Sequence, residues 1–371
     1  MIFSKEYPAY ISVRILMAVF SCLPMSLVLL IAKLVGTAQF YLDKKHRNTA
    51  YKNLRIAFAK EKSPAELKII LKKNFQGFAQ NFAELLCLKR INKDYIKRYV
   101  VIEGREHIDN AFKRGNGIIF SGAHEGNWEL SNAALGLLGY KFSIIAEVQR
   151  NKLLNSLLDS HRLDKGYGVI PVNSVLRSIV KNLKENSAVG VVIDHGGMND
   201  GILVEFFNRL AYTPTGAIKL AMKYNAALLL GYVYRLKGPR HKLVIMPPFA
   251  LANTGDLEKD LYTNLKKINE VIEDFIKEHP EEYLWSYKRW KKSPQKSIII
   301  LNDGQSQNHA KCQAKLTELK AQYKDCRIEV SELNSNEDLI HNYADIVISP
   351  FSLKTAAKNL ARQNQAEVYL V

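Results

Sequence analysis

The sequence predicts an α/β fold: a mixed, largely parallel sheet flanked by helices, with an N-terminal membrane-associated helix and a small C-terminal Rossmann-like α/β unit. Three observations predict it. From Gly117 onward, short apolar runs of strand length alternate with stretches of helical period. The run from Ile15 to Ala32 carries no charge over 18 residues. After Ser293-Pro294 the composition changes and four more strand-like runs follow. The chain is therefore divided into a membrane-associated segment at 1–42, a central domain at 43–294 and an appended unit at 295–371.

At the N-terminus, the uncharged run between Arg14 and Lys33 would reach about 27 Å as a helix, the short limit for a bilayer. Pro24, Ser21 and Ser26 weaken it. A cleaved signal peptide would use the small residues Gly36 and Ala38, but the apolar run is long for one. A buried core helix accommodates Pro24. Lys44, Lys45, Arg47, Lys52, Arg55, Lys60 and Lys62 follow, against only Asp43 and Glu61. Such a basic block resists translocation, which favours a membrane-associated segment, spanning or re-entrant, with the rest of the chain cytoplasmic.

Ser63-Pro64-Ala65-Glu66 is a capping box with Pro at the first helical position. Leu67, Ile70, Leu71, Phe75, Phe78, Phe82, Leu85 and Leu86 then recur at three- and four-residue steps, a long amphipathic helix packed on a core. Strands are expected at Gly117–Ser121, Ala188–Asp194, Ala227–Tyr234 and Lys242–Met246. Helices are expected at Glu129–Leu138, Leu153–Leu163, Val175–Lys184, Thr215–Tyr224 and Leu257–Glu278. In the appended unit, strands at Ser297–Leu301, Arg327–Val330, Asp345–Ser349 and Glu367–Val371 alternate with helices near Lys311–Tyr323, Asn336–Asn342 and Leu353–Gln363. That unit carries no Gly-rich phosphate loop.

The 371 residues have a net charge of +17 and 47% hydrophobic residues, which excludes a disordered chain and a disulfide-stapled miniature. Residues 296–371 hold nine basic and nine acidic residues, so the surplus lies entirely in the first part. That part must face nucleic acid, a membrane surface, phosphorylated substrates or an acidic protein. Cys22, Cys87, Cys312 and Cys326 form no C-x-x-C pair, so no zinc knuckle or redox dithiol is encoded and no metal is expected.

Ser121 to Leu130 reads SGAHEGNWEL. His124 follows a strand, and Glu129, five positions on, opens the next helix. A carboxylate so placed can hold one imidazole nitrogen and leave the other to take a proton from an alcohol; the alternative is a structural histidine in a turn. His-Glu-x-x-His zinc binding fails because position 128 is Trp. A Ser121–His124–Glu129 triad lacks the Gly-x-Ser-x-Gly elbow. A base without a nucleophile suits a thioester donor, whose thiol, with a pKa of about 8.5, leaves readily. Only the attacking hydroxyl then needs help.

HEGNWE resembles the His-x-x-x-x-Asp/Glu motif of the glycerolipid acyltransferase superfamily, in the form typical of the lipid A late (secondary) acyltransferases, H-F-G-N-W-E. Further similarities fall in order: His46-Arg47-Asn48, Asn53-Leu54, Lys73-Asn74-Phe75, Asn151 with Arg162 eleven residues on, Asp194-His195-Gly196, Val204 to Phe207 with Thr213 and Gly216, and Glu282 to Lys291 (EYLWSYKRWK). The resemblance covers residue 1 to about residue 294. It implies transfer of a fatty acyl chain from acyl carrier protein, or less often coenzyme A, to a glycolipid hydroxyl, with no cofactor. By position, His124 would be the general base and Glu129 its orienting partner. Arg162 and Asp194 would join Asn127, Trp128 and Arg150 in binding substrate, the arginine meeting an anionic group; for Arg162 and Asp194 an internal ion pair is the alternative. Glu147 stands where that family often has Arg, Asn208 where Gly is usual, and Glu125 where Phe follows the histidine. Trp285 and Trp290, interleaved with Lys288, Arg289, Lys291 and Lys292, are expected at an interface with anionic lipids of the inner membrane. Base stacking is the nucleic-acid alternative, unsupported by any other motif, so no nucleic-acid partner is expected. The last segment, Asp345 to Val371, faintly resembles a glycosyltransferase half, and a structural or partner-binding appendage is preferred.

Overall fold

A computed structural model describes residues 6–171, 175–196, 199, 201–334 and 342–371. The chain opens with helices α1 (Tyr7–Cys22) and α2 (Met25–Leu42). The single apolar run expected at Ile15–Ala32 is thus two helices, broken where Leu23 turns extended ahead of Pro24. Proline disfavours helical geometry in the residue before it, and this break corrects the reading of the run as one helix. Helix α2 is long and apolar enough to cross a bilayer by length and composition. The basic block becomes α3 (Lys44–Phe58), capped by Asp43. Then come α4 (Pro64–Leu86), α5 (Lys93–Tyr99), β1 (Val100–Glu103), α6 (Arg105–Lys113), β2 (Ile118–Gly122), α7 (Trp128–Leu137), β3 (Phe142–Ala146), α8 (Lys152–Asp164), β4 (Tyr167–Pro171) and α9 (Val175–Lys184). They are followed by β5 (Ala188–Val192), the hairpin β6 (Gly201–Phe206) and β7 (Arg209–Pro214), α10 (Gly216–Tyr224), β8 (Ala227–Lys237), β9 (Arg240–Ile245) and α11 (Leu257–Glu278). The last elements are β10 (Gln295–Asn302), α12 (Ser306–Gln322), β11 (Arg327–Asn334), β12 (Ile346–Ser349), α13 (Lys354–Asn364) and β13 (Glu367–Leu370). The helix expected near Asn336–Asn342 lies mostly outside the described residues.

The chain gathers into two compact units. The first comprises residues 1–39, 74–202 and 213–283, and holds a seven-stranded sheet ordered β1-β9-β8-β2-β5-β3-β4. Every pairing in it is parallel except β8 with β9. The mixed, largely parallel sheet is therefore as expected. Its central strand β2 is flanked by β5 and β8, and its residues Ile118 and Ile119 are buried, as are Leu130, Ala133 and Ala134 of α7 and Leu229 of β8. A strand apolar on both faces is the signature of a sheet covered by helices on each side.

The second unit comprises residues 40–73, 203–212 and 284–371. Its four-stranded sheet, ordered β11-β10-β12-β13, is wholly parallel, as a Rossmann-like half requires. Ile298, Ile300 and Ile348 pack on α12, while Ile299, Leu301 and Val347 pack on α13. This unit also takes in α3, whose Arg55 is fully buried and donates to Asn364 Oδ1 and to the Asn342 carbonyl. Arg209 and Lys52 both pair with the buried Asp345, at 2.7 and 3.2 Å.

The lipid-interface expectation for Trp285, Trp290 and Arg289 is overturned. Trp285 is 0% exposed and packs edge-on against Phe58, while Trp290 stacks on Phe206. Arg289 is buried over the Phe206 ring and donates to the Tyr212 carbonyl. The segment is irregular, so alternation of aromatic and basic residues said nothing about which side chains face inward. Lys288, Lys291 and Lys292 are exposed.

Candidate active site

The site lies at the carboxyl end of β2, where parallel sheets commonly carry their ligands. Residues Ala123 to Asn127 form the loop from β2 to α7. Gly126 has a φ of +55°, and a Cβ there would lie 1.8 Å from the Val233 carbonyl oxygen, so only glycine fits. Asn127 caps α7 by accepting from the Leu130 N–H, and its amide donates to Glu84 at 2.7 Å. That commits both ends of a side chain expected to bind substrate.

His124 is turned toward Asp194, which follows β5. Nδ1 of the imidazole sits 2.8 Å from Asp194 Oδ1, and the His124 backbone N–H donates to Oδ2 at 3.0 Å. The orienting partner of His124 is thus Asp194, not Glu129 as the motif spacing suggested. Glu129 lies in the first turn of α7 and accepts from Arg162 and from the Tyr167 hydroxyl, the latter at 2.9 Å. Arg162, which also pairs with Asp159, is spent on this internal ion pair, the alternative left open by the sequence. Arg150 is exposed beside the Asn151 cap of α8.

Burial raises the affinity of Asp194 for protons, but the charge and hydrogen bonds of His124 and the charge of His195 outweigh it, and the carboxyl stays well below its usual range. The His195 ring stacks on His124 at 3.9 Å, and Trp128 meets His124 edge-on at 5.5 Å. The ligand atoms of His124, Asp194 and His195 lie within 4.8 Å of one another. The Asp194 oxygens face the His124 ring, its backbone N–H and the His195 ring.

His124 and Trp128 open on a cavity of about 670 Å³, lined by apolar side chains such as Phe78, Phe82, Phe142, Ile144 and Leu157. A second buried cluster braces its wall. Glu84 accepts from Arg235 and Asn127. Burial raises the pKa of Glu84, yet Arg235 and His241 lower it further than burial lifts it. Sequence reading missed Glu84, Arg235, His241 and Tyr167, because each joins the site only through strand order and helix packing. His195 had a signal in its adjacency to Asp194.

A family model for the bacterial lipid A biosynthesis acyltransferases matches residues 3–292. The chain is 26% identical over 265 residues to the lipid A biosynthesis lauroyltransferase of Escherichia coli, covering 70% of this chain and 84% of that protein. It is 23% identical over 275 residues to the lipid A biosynthesis palmitoleoyltransferase of the same organism, covering 73% and 87%. Over 162 residues it is 26% identical to the phosphatidylinositol mannoside acyltransferase of Mycobacterium tuberculosis, covering 42% and 51%.

Proposed function

The chain belongs to the bacterial lipid A biosynthesis acyltransferase family, and from that premise we propose that it moves a fatty acyl chain from a thioester donor to a hydroxyl of a lipid A precursor at the cytoplasmic face of the inner membrane. The donor is acyl carrier protein, or less often coenzyme A. The observation that carries this reading is the imidazole of His124, held at Nδ1 by Asp194 on the wall of an apolar cavity. Asp194 fixes the tautomer with the proton on Nδ1, so Nε2 is the basic nitrogen. Nε2 takes the hydroxyl proton as the oxygen adds to the thioester carbonyl. The tetrahedral intermediate then expels the thiolate, which receives the proton from the imidazolium. The cavity falls within the range of about 300–1,000 Å³ usual for small-molecule sites and suits an acyl chain.

Membrane association is supported by α2 and by the exposed Ile15, Val19, Leu30, Leu34 and Val35 of α1 and α2. Apolar side chains left uncovered on two consecutive helices suit a lipid surface. The exposed Lys44 and Lys45 at the start of α3 would meet anionic headgroups.

Transfer of labelled acyl chains from acyl carrier protein to a lipid A precursor is the direct assay. His124→Ala should lower kcat by about a hundredfold or more; unimpaired turnover would sink the mechanism. The similarity to a phosphatidylinositol mannoside acyltransferase favours a second reading, acylation of another glycolipid. Mass spectrometry of lipids from a deletion strain separates the two, since loss of one secondary chain from lipid A supports the first alone.

A further inference from the structure

One group on the cavity wall has no task in this reaction. Glu125, next to His124, is 4% exposed and lines the same cavity, and its Oε2 has no hydrogen-bond partner among the described residues. Its backbone is pinned on both sides. Glu125 bridges to Tyr283 in antiparallel fashion, and the next N–H, of Gly126, donates to the Glu282 carbonyl at 2.9 Å. The backbone that carries the side chain is thereby fixed beside the cavity.

The groups that face it are mostly acidic. Asp194 after β5 and Glu282 after α11 both disfavour its ionisation, and burial disfavours it more, so its pKa is raised well above the ordinary value. The cations nearby are committed: Arg235 of β8 to Glu84 of α4, and the His124 imidazole to Asp194. A buried carboxylate without a cation costs several kcal/mol, and such a group keeps its proton instead. A carboxylic acid with an O–H and no acceptor among the described residues has the cavity it lines as the place to find one.

We propose that Glu125 is a neutral carboxylic acid that donates a hydrogen bond to the thioester carbonyl oxygen and holds the oxyanion formed when the acceptor hydroxyl adds. This rests on the acyl-transfer reading above. As the hydroxyl oxygen bonds to the carbonyl carbon, the carbonyl π electrons move to oxygen, where the Glu125 O–H meets the charge. The proton released by the hydroxyl goes to His124. When the intermediate collapses, the C–S bond breaks, the electron pair leaves on sulfur and the thiolate takes the proton from His124. Glu125 keeps its own proton throughout, the role a protonated acid fills in ketosteroid isomerase.

Two measurements on the full-length chain test this. Infrared difference spectra of wild type against Glu125→Gln near neutral pH should show the carbonyl stretch of a protonated carboxyl; its absence overturns the proposal and leaves the acyl-transfer reading untouched. In the acyl-transfer assay, Glu125→Met keeps the volume but removes the donor, and kcat should fall about a hundredfold with KM little changed. Glu125→Gln offers an N–H donor and should recover to within about tenfold of wild type, without the alkaline loss that ionisation of Glu125 imposes. Glutamine as poor as methionine would mean proton donation to the thiolate instead, and would overturn the proposal. Thermal melts should show Glu125→Met at least as stable as wild type, which separates lost chemistry from lost fold. Failure of wild type itself to transfer acyl chains would count against the acyl-transfer reading alone.

Discussion

The side chains of His124 and Asp194 are 70 positions apart in sequence and 2.8 Å apart in space. Asp194→Asn should therefore be isosteric yet inactive. An amide N–H donated to Nδ1 would force the proton onto Nε2, removing the base, and kcat should fall by about 10³–10⁴-fold with the melting temperature preserved. Activity within tenfold of wild type would assign the orienting role elsewhere. The histidine was legible from HEGNWE, but its partner was not. Sequence spacing puts Glu129 in the first turn after the loop, whereas the direction of its side chain depends on Arg162 and Tyr167, which α8 and β4 bring. Glu282 makes a second residue-scale test. Burial lifts its carboxyl from 4.5 to about 7, so between those values the folded chain holds a proton that the unfolded chain has released. Its stabilising contribution is complete below about pH 4.5 and is lost as pH rises through about 7. His241 works the other way: burial lowers it to about 4, and its contribution is lost as pH falls below the ordinary value of 6.5. Denaturant titrations at about pH 5 and about pH 8 should show Glu282→Gln gaining stability relative to wild type across the interval, because only wild type ionises at position 282 while His241 contributes equally to both. An identical change in the two proteins would rule this out.

Among elements, the loop from β2 to α7 is the most constrained. Gly126→Ala faces both a left-handed φ and a clash with the Val233 carbonyl. It should cost about 1–3 kcal/mol of stability, and by displacing His124 it should lower kcat about a hundredfold; a variant with normal kcat would show that the loop tolerates the shift. The strongly apolar strands β2, β5, β8 and β9 were readable from sequence, as were helices α4 and α7 to α11, whereas α3, α5 and α6 were not. Strands β1, β3 and β4 escaped because four or five residues containing Glu103, Ser143, Gly168 or Pro171 resemble connections. Pairing decides them: β3 and β4 register over five residues from Phe142 with Tyr167 to Ala146 with Pro171. The Trp285–Trp290 stretch failed for a related reason, since an irregular segment has no period from which to read a face.

For the whole molecule, the division drawn at residue 295 described a change of composition. The compact unit holding the C-terminal sheet also contains α3, Leu203–Tyr212 and Leu284–Tyr287. Residues 296–371 are neutral in sum, yet Asp345 among them is the shared partner of Lys52 and Arg209, which burial alone would not allow to stay ionised together. Asp345→Ala should thus destabilise the chain by about 3–5 kcal/mol in denaturant titration, because it strands a buried guanidinium. A loss under about 1 kcal/mol would return these residues to the status of an appendage. The burial of Arg55 carries a consequence in time. Its hydrogen-bond partner Asn364 lies 309 positions downstream. At a synthesis rate of about 5–20 residues per second, Arg55 waits roughly 15–60 s for that partner to be made. Helix α3 is therefore made long before the amide and carbonyl that its buried guanidinium donates to, and the second unit can close only when the last helix has left the ribosome.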